Sequence, residues 1–384
     1  GQDARLDHTP EPTIQLSRWH LGDNDGGIAE ARDDGPFDLP RSTEPHRECG
    51  PYQKNQIMKK NILPLALAAL TLNFNLQAAL LTIDTVTVGD AGNAADTTTY
   101  GAVADVFALG KYEVTIGQYT TFLNAVAATD TYSLYNPGMT TDQNIAGITR
   151  TGSSGGYSYS VSGSGTRPIT YVSWFDAARF ANWMNNGATN GASTETGAYT
   201  LNGATSGVSF TKNAGATWWI PSEDEWYKAA YYKGGSTNAG YWNYPTQSDS
   251  APGNEVGGAA NQANYNNGVY SVTRSADYSG LLNYLTDAGV FSNSTSAYDT
   301  YDQGGNVIEW NDAVTGSNRV IRGGSWNLAG TFLQSSHRNS VNPVVEDGYV
   351  GFRVASVPEP STYALLALAA AGWGAHWRRR KVTF

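Results

Sequence analysis

The sequence predicts a single α+β domain over residues 80–357, and three observations carry that prediction. Two helix-start signals lie early in this segment and a third near its middle. Short alternating apolar runs close it. The chain between them is broken by Gly, Asn, Ser and Thr at intervals too short for long regular elements. Only 15% of the 384 residues are charged and 12% are aromatic, which opposes both a coiled coil and extensive disorder.

The elements follow in chain order. Thr115 with Gln118 makes a capping-box pair, followed by Tyr119, Phe122, Leu123 and Val126 at helical spacing. Low-complexity residues 149–166 read as an exposed loop or hairpin. Ser173 with Asp176 opens a second helix, with Ala177, Phe180, Ala181 and Met184 on one face, and Asn185-Asn186-Gly187 stops it. Ser222 with Glu225 opens a third, which Gly234-Gly235 ends. "RVIRGGSW" and "GYVGFRVAS" read as strands, the latter with Val350, Phe352 and Val354 alternating. Trp174, Trp183, Trp218, Trp219 and Trp226 sit beside caps or on inner faces and read as core. No internal repeat is evident.

The ends differ in character. Residues 1–57 hold 11 acidic and 6 basic residues, 6 of the 15 prolines and the only cysteine, Cys49, without periodicity. They read as a disordered stretch upstream of the natural start. Residues 58–79 read as a secretory signal peptide. Met58 begins it, Lys59 and Lys60 form a basic n-region, Ile62–Leu72 an apolar core, and Ala78 a cleavage position. Residues 358–384 run from Pro-Glu-Pro through a short apolar stretch, Tyr363–Trp377, to the cluster Arg378, Arg379, Arg380 and Lys381, an order that keeps the positive end cytoplasmic.

Charge and composition then exclude function classes. The segment 80–357 carries 12 basic against 22 acidic residues, so the whole net charge of -10 lies in it. That disfavours nucleic acid as a partner. It has no cysteine, and its only histidine is His337. Cys/His catalysis, a two-His metal site and a disulfide framework are ruled out there, and a Ser-His-Asp triad would have to use His337.

Two resemblances complete the reading. "VPEPS", an apolar stretch and an Arg-rich end in that order resemble the PEP-CTERM sorting signal of Gram-negative bacteria. This implies an exosortase-type protease as partner, transient membrane anchoring by the tail, and export to the envelope or extracellular matrix. Over roughly 105–356, "LGKYEVTIGQYTTFLNAV", "RPITYVSWFDAARFANWMN", "WWIPSEDEWYKAAYY", "DQGGNVIEW", "RVIRGGSW" and "SSHRNSV...GYVGFRVAS" resemble the formylglycine-generating enzyme family, the sulfatase-modifying factor domain. The resemblance implies a C-type-lectin-like fold with little regular secondary structure. In the active enzymes two cysteines after "RGGS" bind copper and convert a substrate cysteine to formylglycine. Their positions are Leu328 and Leu333 here, and a tryptophan near the oxygen site is Ile308. No copper is therefore expected.

Asp302, Gly305, Val307 and Glu309 match a calcium site of the family, with two carboxylates and two backbone carbonyls as donors. The alternative is that Glu309 pairs with a buried arginine, Arg322 or Arg353, without metal. Asn264 matches part of a second calcium site whose other ligands do not align. Ser325 reads as a hydrogen-bonding turn residue. Ser325, Trp326, Leu328, Leu333, Arg338 and Asn339 are the candidate groove. The expectation is an exported surface or matrix protein that binds a polysaccharide or protein without catalysis. The alternatives are an oxidoreductase of the same family acting on a protein or small molecule, with carboxylates holding iron, and a lectin-like display protein.

Overall fold

The computed structural model describes residues 79–358; residues 1–57, the signal segment as far as Ala78 and the tail beyond Pro358 lie outside the described residues. The expectations placed on them are not addressed by the fold. All three predicted capping boxes form. They open α1 (Ile116–Val126), α3 (Trp174–Asn185) and α4 (Glu223–Tyr231). In each, the Thr or Ser hydroxyl accepts from the backbone N–H three residues on, and the Gln, Asp or Glu reaches back to the cap N–H. Each cap satisfies donors that a helix start leaves orphaned, and contributes about 1 kcal/mol. A single turn, α2 (Gly138–Thr141), precedes the hairpin of β3 (Ile148–Thr151) and β4 (Ser158–Val161), where the low-complexity stretch lies.

Two sheets flank these helices. One has the order β1 (Thr85–Val88), β2 (Phe107–Gly110), β10 (Ala355–Ser356), β5 (Trp218–Trp219). The other has β8 (Asn339–Val341), β7 (Asn318–Arg322), β6 (Ile308–Thr315), β9 (Val350–Phe352), with β6 and β9 parallel. The run expected as one strand, "GYVGFRVAS", is thus divided between both sheets. Val350, Phe352 and Val354 are buried as expected, but so are Gly351 and Arg353, because the chain passes through the middle of the molecule with protein on both sides. Alternation cannot show such a crossing.

Aromatic packing joins the layers. Phe180 of α3 lies 5.3 Å from Phe122 of α1, 5.8 Å from Trp183 and 5.4 Å from Phe352 of β9, mostly edge-on or tilted. Trp174, Trp183 and Trp226 are fully buried, Trp219 nearly so and Trp218 partly, in line with the core reading.

Irregular backbone is held by buried arginines, whose five fixed donors suit carbonyls that no ladder satisfies. Arg179 bonds Glu195 and the Ala204 carbonyl. Arg319 lies 3.8 Å over the Trp174 ring and bonds Asp312 and the carbonyls of Val208 and Phe210. The result is a single α+β body with a low share of helix and strand.

Candidate functional site

Ser325 starts the local geometry. It follows Gly323-Gly324 at the end of β7, where positive φ turns the chain away from the sheet. Gly324 also passes so close to Leu333 that a Cβ would come within 2.7 Å of its Cδ1. Ser325 is fully buried, and its Oγ donates to Asn327 Oδ1 at 2.6 Å. The Leu328 N–H donates to the Ser325 carbonyl at 3.1 Å. This is the turn role read from the sequence.

Leu333 corrects an expectation. It was placed in the groove, but it is fully buried against Tyr244, Ala263 and Tyr265. A 3-10 turn, Gly330–Leu333, rotates it inward. Leu328 is partly buried against the main core. Ile308 is also nearly enclosed. Trp326 is only 6% exposed, and its ring stacks on Tyr284 at 4.8 Å and 8°. Leu328 and Leu333, the positions the resemblance implies for copper, are thus both apolar and packed, in two separate clusters.

Arg338 and Asn339 belong elsewhere. Arg338 makes a paired contact with Glu223 at the start of α4, Nε to Oε1 at 2.8 Å and Nη2 to Oε2 at 3.0 Å. Asn339 is exposed on β8 opposite Ile321. No hydrogen bond joins either to the Ser325–Leu328 turn among the described residues. The His337 ring packs on Phe332 at 4.6 Å, and burial followed by the Arg322 charge lowers its pKa. No serine or carboxylate bonds it among the described residues, so the triad geometry is not met.

At the matched calcium positions, Glu309 is fully buried. Arg353 donates from Nε to Oε2 at 2.6 Å and from Nη2 to Oε1 at 2.7 Å, and Trp226 Nε1 donates to Oε2 at 2.8 Å. Of the two arginines considered, Arg353 is the partner; Arg322 turns to Glu223 and to the Ser335 and His337 carbonyls. Asp302, with φ at 58°, accepts from the Gly289 N–H at 2.7 Å. Gly305 is required by contact: a Cβ there would lie 2.3 Å from the Asn264 carbonyl oxygen.

Sequence reasoning missed Glu113. Its carboxylate is buried, and neither oxygen has a hydrogen-bond partner among the described residues. Burial pushes its pKa well up, and the Asp302 and Glu309 charges add to this while Arg353 opposes it. Asp302 is pushed up to about 6 by burial, against the Gly289 N–H and Arg353. Glu309 takes the Arg353 guanidinium, while burial favours the protonated form of Glu113 and Asp302. The only hint in the sequence is a Glu set between the apolar residues Phe107–Leu109 on one side and Val114 and Ile116 on the other.

The sequence profile of the sulfatase-modifying factor enzyme 1-like domain matches residues 82–357. The chain belongs to this family. The family fold is the α+β arrangement described above. A PEP-CTERM protein-sorting motif matches residues 356–381, which implies recognition by exosortase machinery and export to the cell envelope of a Gram-negative bacterium. The motif begins on β10, and Val357 still donates to the Thr217 carbonyl at 3.1 Å, so the sorting signal leaves the family domain without a spacer. No curated protein matches the chain. Among solved structures it is similar to CarF (TM-score 0.43, 21% identity, 72% of this chain and 99% of that one). It is also similar to variable protein 1 of Treponema denticola (0.41, 18%, 72% and 96%) and to PvdO of Pseudomonas aeruginosa (0.38, 19%, 72% and 93%).

Beside the site, Arg167, Glu255, Ser271, Arg274, Leu285 and Asp287 line a cleft of about 500 Å³. None of them was singled out from the sequence. They lie mostly in the stretch between α4 and β6, where no periodic signal exists.

Proposed function

We propose that this family member is an exported binding module of the cell surface or its extracellular matrix, one that keeps the scaffold but not the copper oxidation chemistry. One observation carries this reading: the two positions that the resemblance assigns to copper thiolates hold Leu328 and Leu333, and Leu333 is sealed in the core. Leucine offers no donor to copper(I), which soft thiolates select. The rival oxidoreductase with carboxylate-held iron needs a converging donor set. Among the described residues no group of three His, Cys, Asp or Glu side chains is arranged to hold a metal.

The decisive assay incubates the purified protein with copper, oxygen, a reductant and a Cys-x-Pro-x-Arg peptide. The reading expects no aldehyde. A turnover-dependent loss of about 18 mass units from the peptide cysteine, thiol to aldehyde, would overturn it.

Calcium is proposed in a reduced form, with solvent completing the six to eight oxygens it takes. The Glu309 carboxylate is committed to Arg353, so the proposed donors are Asp302 and the Gly305 and Val307 carbonyls. The unpartnered Glu113 supports extra positive charge nearby. Calcium would supply neutralisation there, a stabilising and not a catalytic role. Export is proposed to begin at Met58, with cleavage near Ala78.

A further inference from the structure

The binding reading leaves open what is bound and where, and one surface feature bears on both. Tyr278 is 58% exposed, next to Leu281 at 74% and Leu282 at 48%. An exposed tyrosine alone means little. This one is built in. Its hydroxyl bonds the Oδ1 of Asn144, a buried residue whose amide also donates to the Ser279 and Leu282 carbonyls, each at 2.8 Å. Its ring lies nearly parallel to Tyr284, 5.9 Å away at 11°, and Tyr284 lies on Trp326 in the same way. Tyr270 leans against all three at 4.7 to 6.2 Å.

The outermost ring of a three-ring pile is thus fixed at its hydroxyl and backed on one face. Ordering it costs nothing further on binding, which favours affinity. A flat, negative π face suits the polarised C–H face of a sugar ring. The surroundings set the charge of that sugar. Asp142 accepts from the Tyr171 hydroxyl at 2.9 Å and acts electrostatically on Tyr278, Asp277 adjoins it in sequence, and the exported segment carries the whole net charge of -10. This charge balance disfavours anionic sugars.

We infer that Tyr278 is the platform of a binding site for a pyranose ring of an uncharged polysaccharide. This rests on the binding-module reading and names its ligand class. The pile descends to Trp326, two residues before Leu328 in the chain.

The test is calorimetric titration of the full-length chain with cellohexaose, laminarihexaose and chitohexaose, and with polygalacturonate as the anionic control. At least one neutral hexasaccharide should bind, and polygalacturonate should not. Tyr278→Ala should weaken that binding about tenfold or more, with an unchanged melting temperature as the fold control. Tyr278→Phe keeps the ring and should stay within about threefold. Equal binding by Tyr278→Ala and the parent would move the site elsewhere while leaving the binding-module reading standing. No binding of any neutral sugar, or preference for the anionic polymer, would overturn the ligand class. Neither outcome bears on the peptide oxidation assay, whose failure alone removes the non-catalytic reading.

Discussion

Two regions of this molecule are held together in different ways. The scaffold of α1, α3, α4 and the two sheets uses caps, ladders and interlocked rings. The stretch from Tyr232 to Val307 contains no helix or strand longer than an isolated bridge. It is fastened by side chains reaching to backbone. Asn254 Nδ2 donates to the Tyr265 and Val269 carbonyls, and Asn264 Nδ2 to the Tyr284 carbonyl and Asn306 Oδ1. Asn306 Oδ1 accepts from the Thr286 N–H. Buried amides do here what ladders do elsewhere, because every buried backbone group needs a partner. A region held this way can change its surface without disturbing the scaffold. The large cleft and the tyrosine pile both draw most of their residues from it.

The comparison can be broken at the scaffold first. Glu309→Ala leaves Arg353 buried without its partner, and should cost about 3–5 kcal/mol in denaturant unfolding, shared by the whole domain. A loss below about 1 kcal/mol would mean that the pair is not central to the scaffold.

The seam between the regions comes next. Calcium at about 100 times its dissociation constant should add roughly 2.7 kcal/mol, and Asp302→Ala should remove that increment. A melting temperature indifferent to a chelator, on protein first shown to be calcium-loaded, would instead assign neutralisation to protons on Glu113 and Asp302.

The irregular stretch is tested by Asn264→Ala. Losing one buried amide should cost about 1–3 kcal/mol. Hydrogen exchange should rise around residues 284–306, while α1 and α3 keep their protection. A uniform rise across the domain would erase the distinction between the two regions.

The same distinction explains what the sequence made legible. A capping box lies within four residues, so Thr115, Ser173 and Ser222 announced their helices before any tertiary contact was known. The partner of Glu309 could be expected to be a buried arginine, with Arg322 and Arg353 as examples, but not chosen, because the choice depends on how β9 threads between the sheets. The bonds of Asn264 and Asn306 join residues 20 and 42 positions apart and obey no period. Leu333 shows another limit. Resemblance to a family position implied a site without a thiolate but said nothing of its exposure, and Leu333 is buried in the core. Tyr278 and Tyr284 had no signal at all, since stacked rings need neither spacing nor alternation.

The proposed reading rests on a family scaffold that carries Leu328 and Leu333, both packed, at the positions the resemblance implies for copper. Titration with copper(I) under reductant, followed by native mass spectrometry, tests this most directly. The Cys49→Ser chain should be used, so that no thiol outside the domain contributes. That chain should retain no copper, and adding Leu328→Cys with Leu333→Cys should create one copper(I) site. Retention of one copper by the Cys49→Ser chain with both leucines in place would contradict the account.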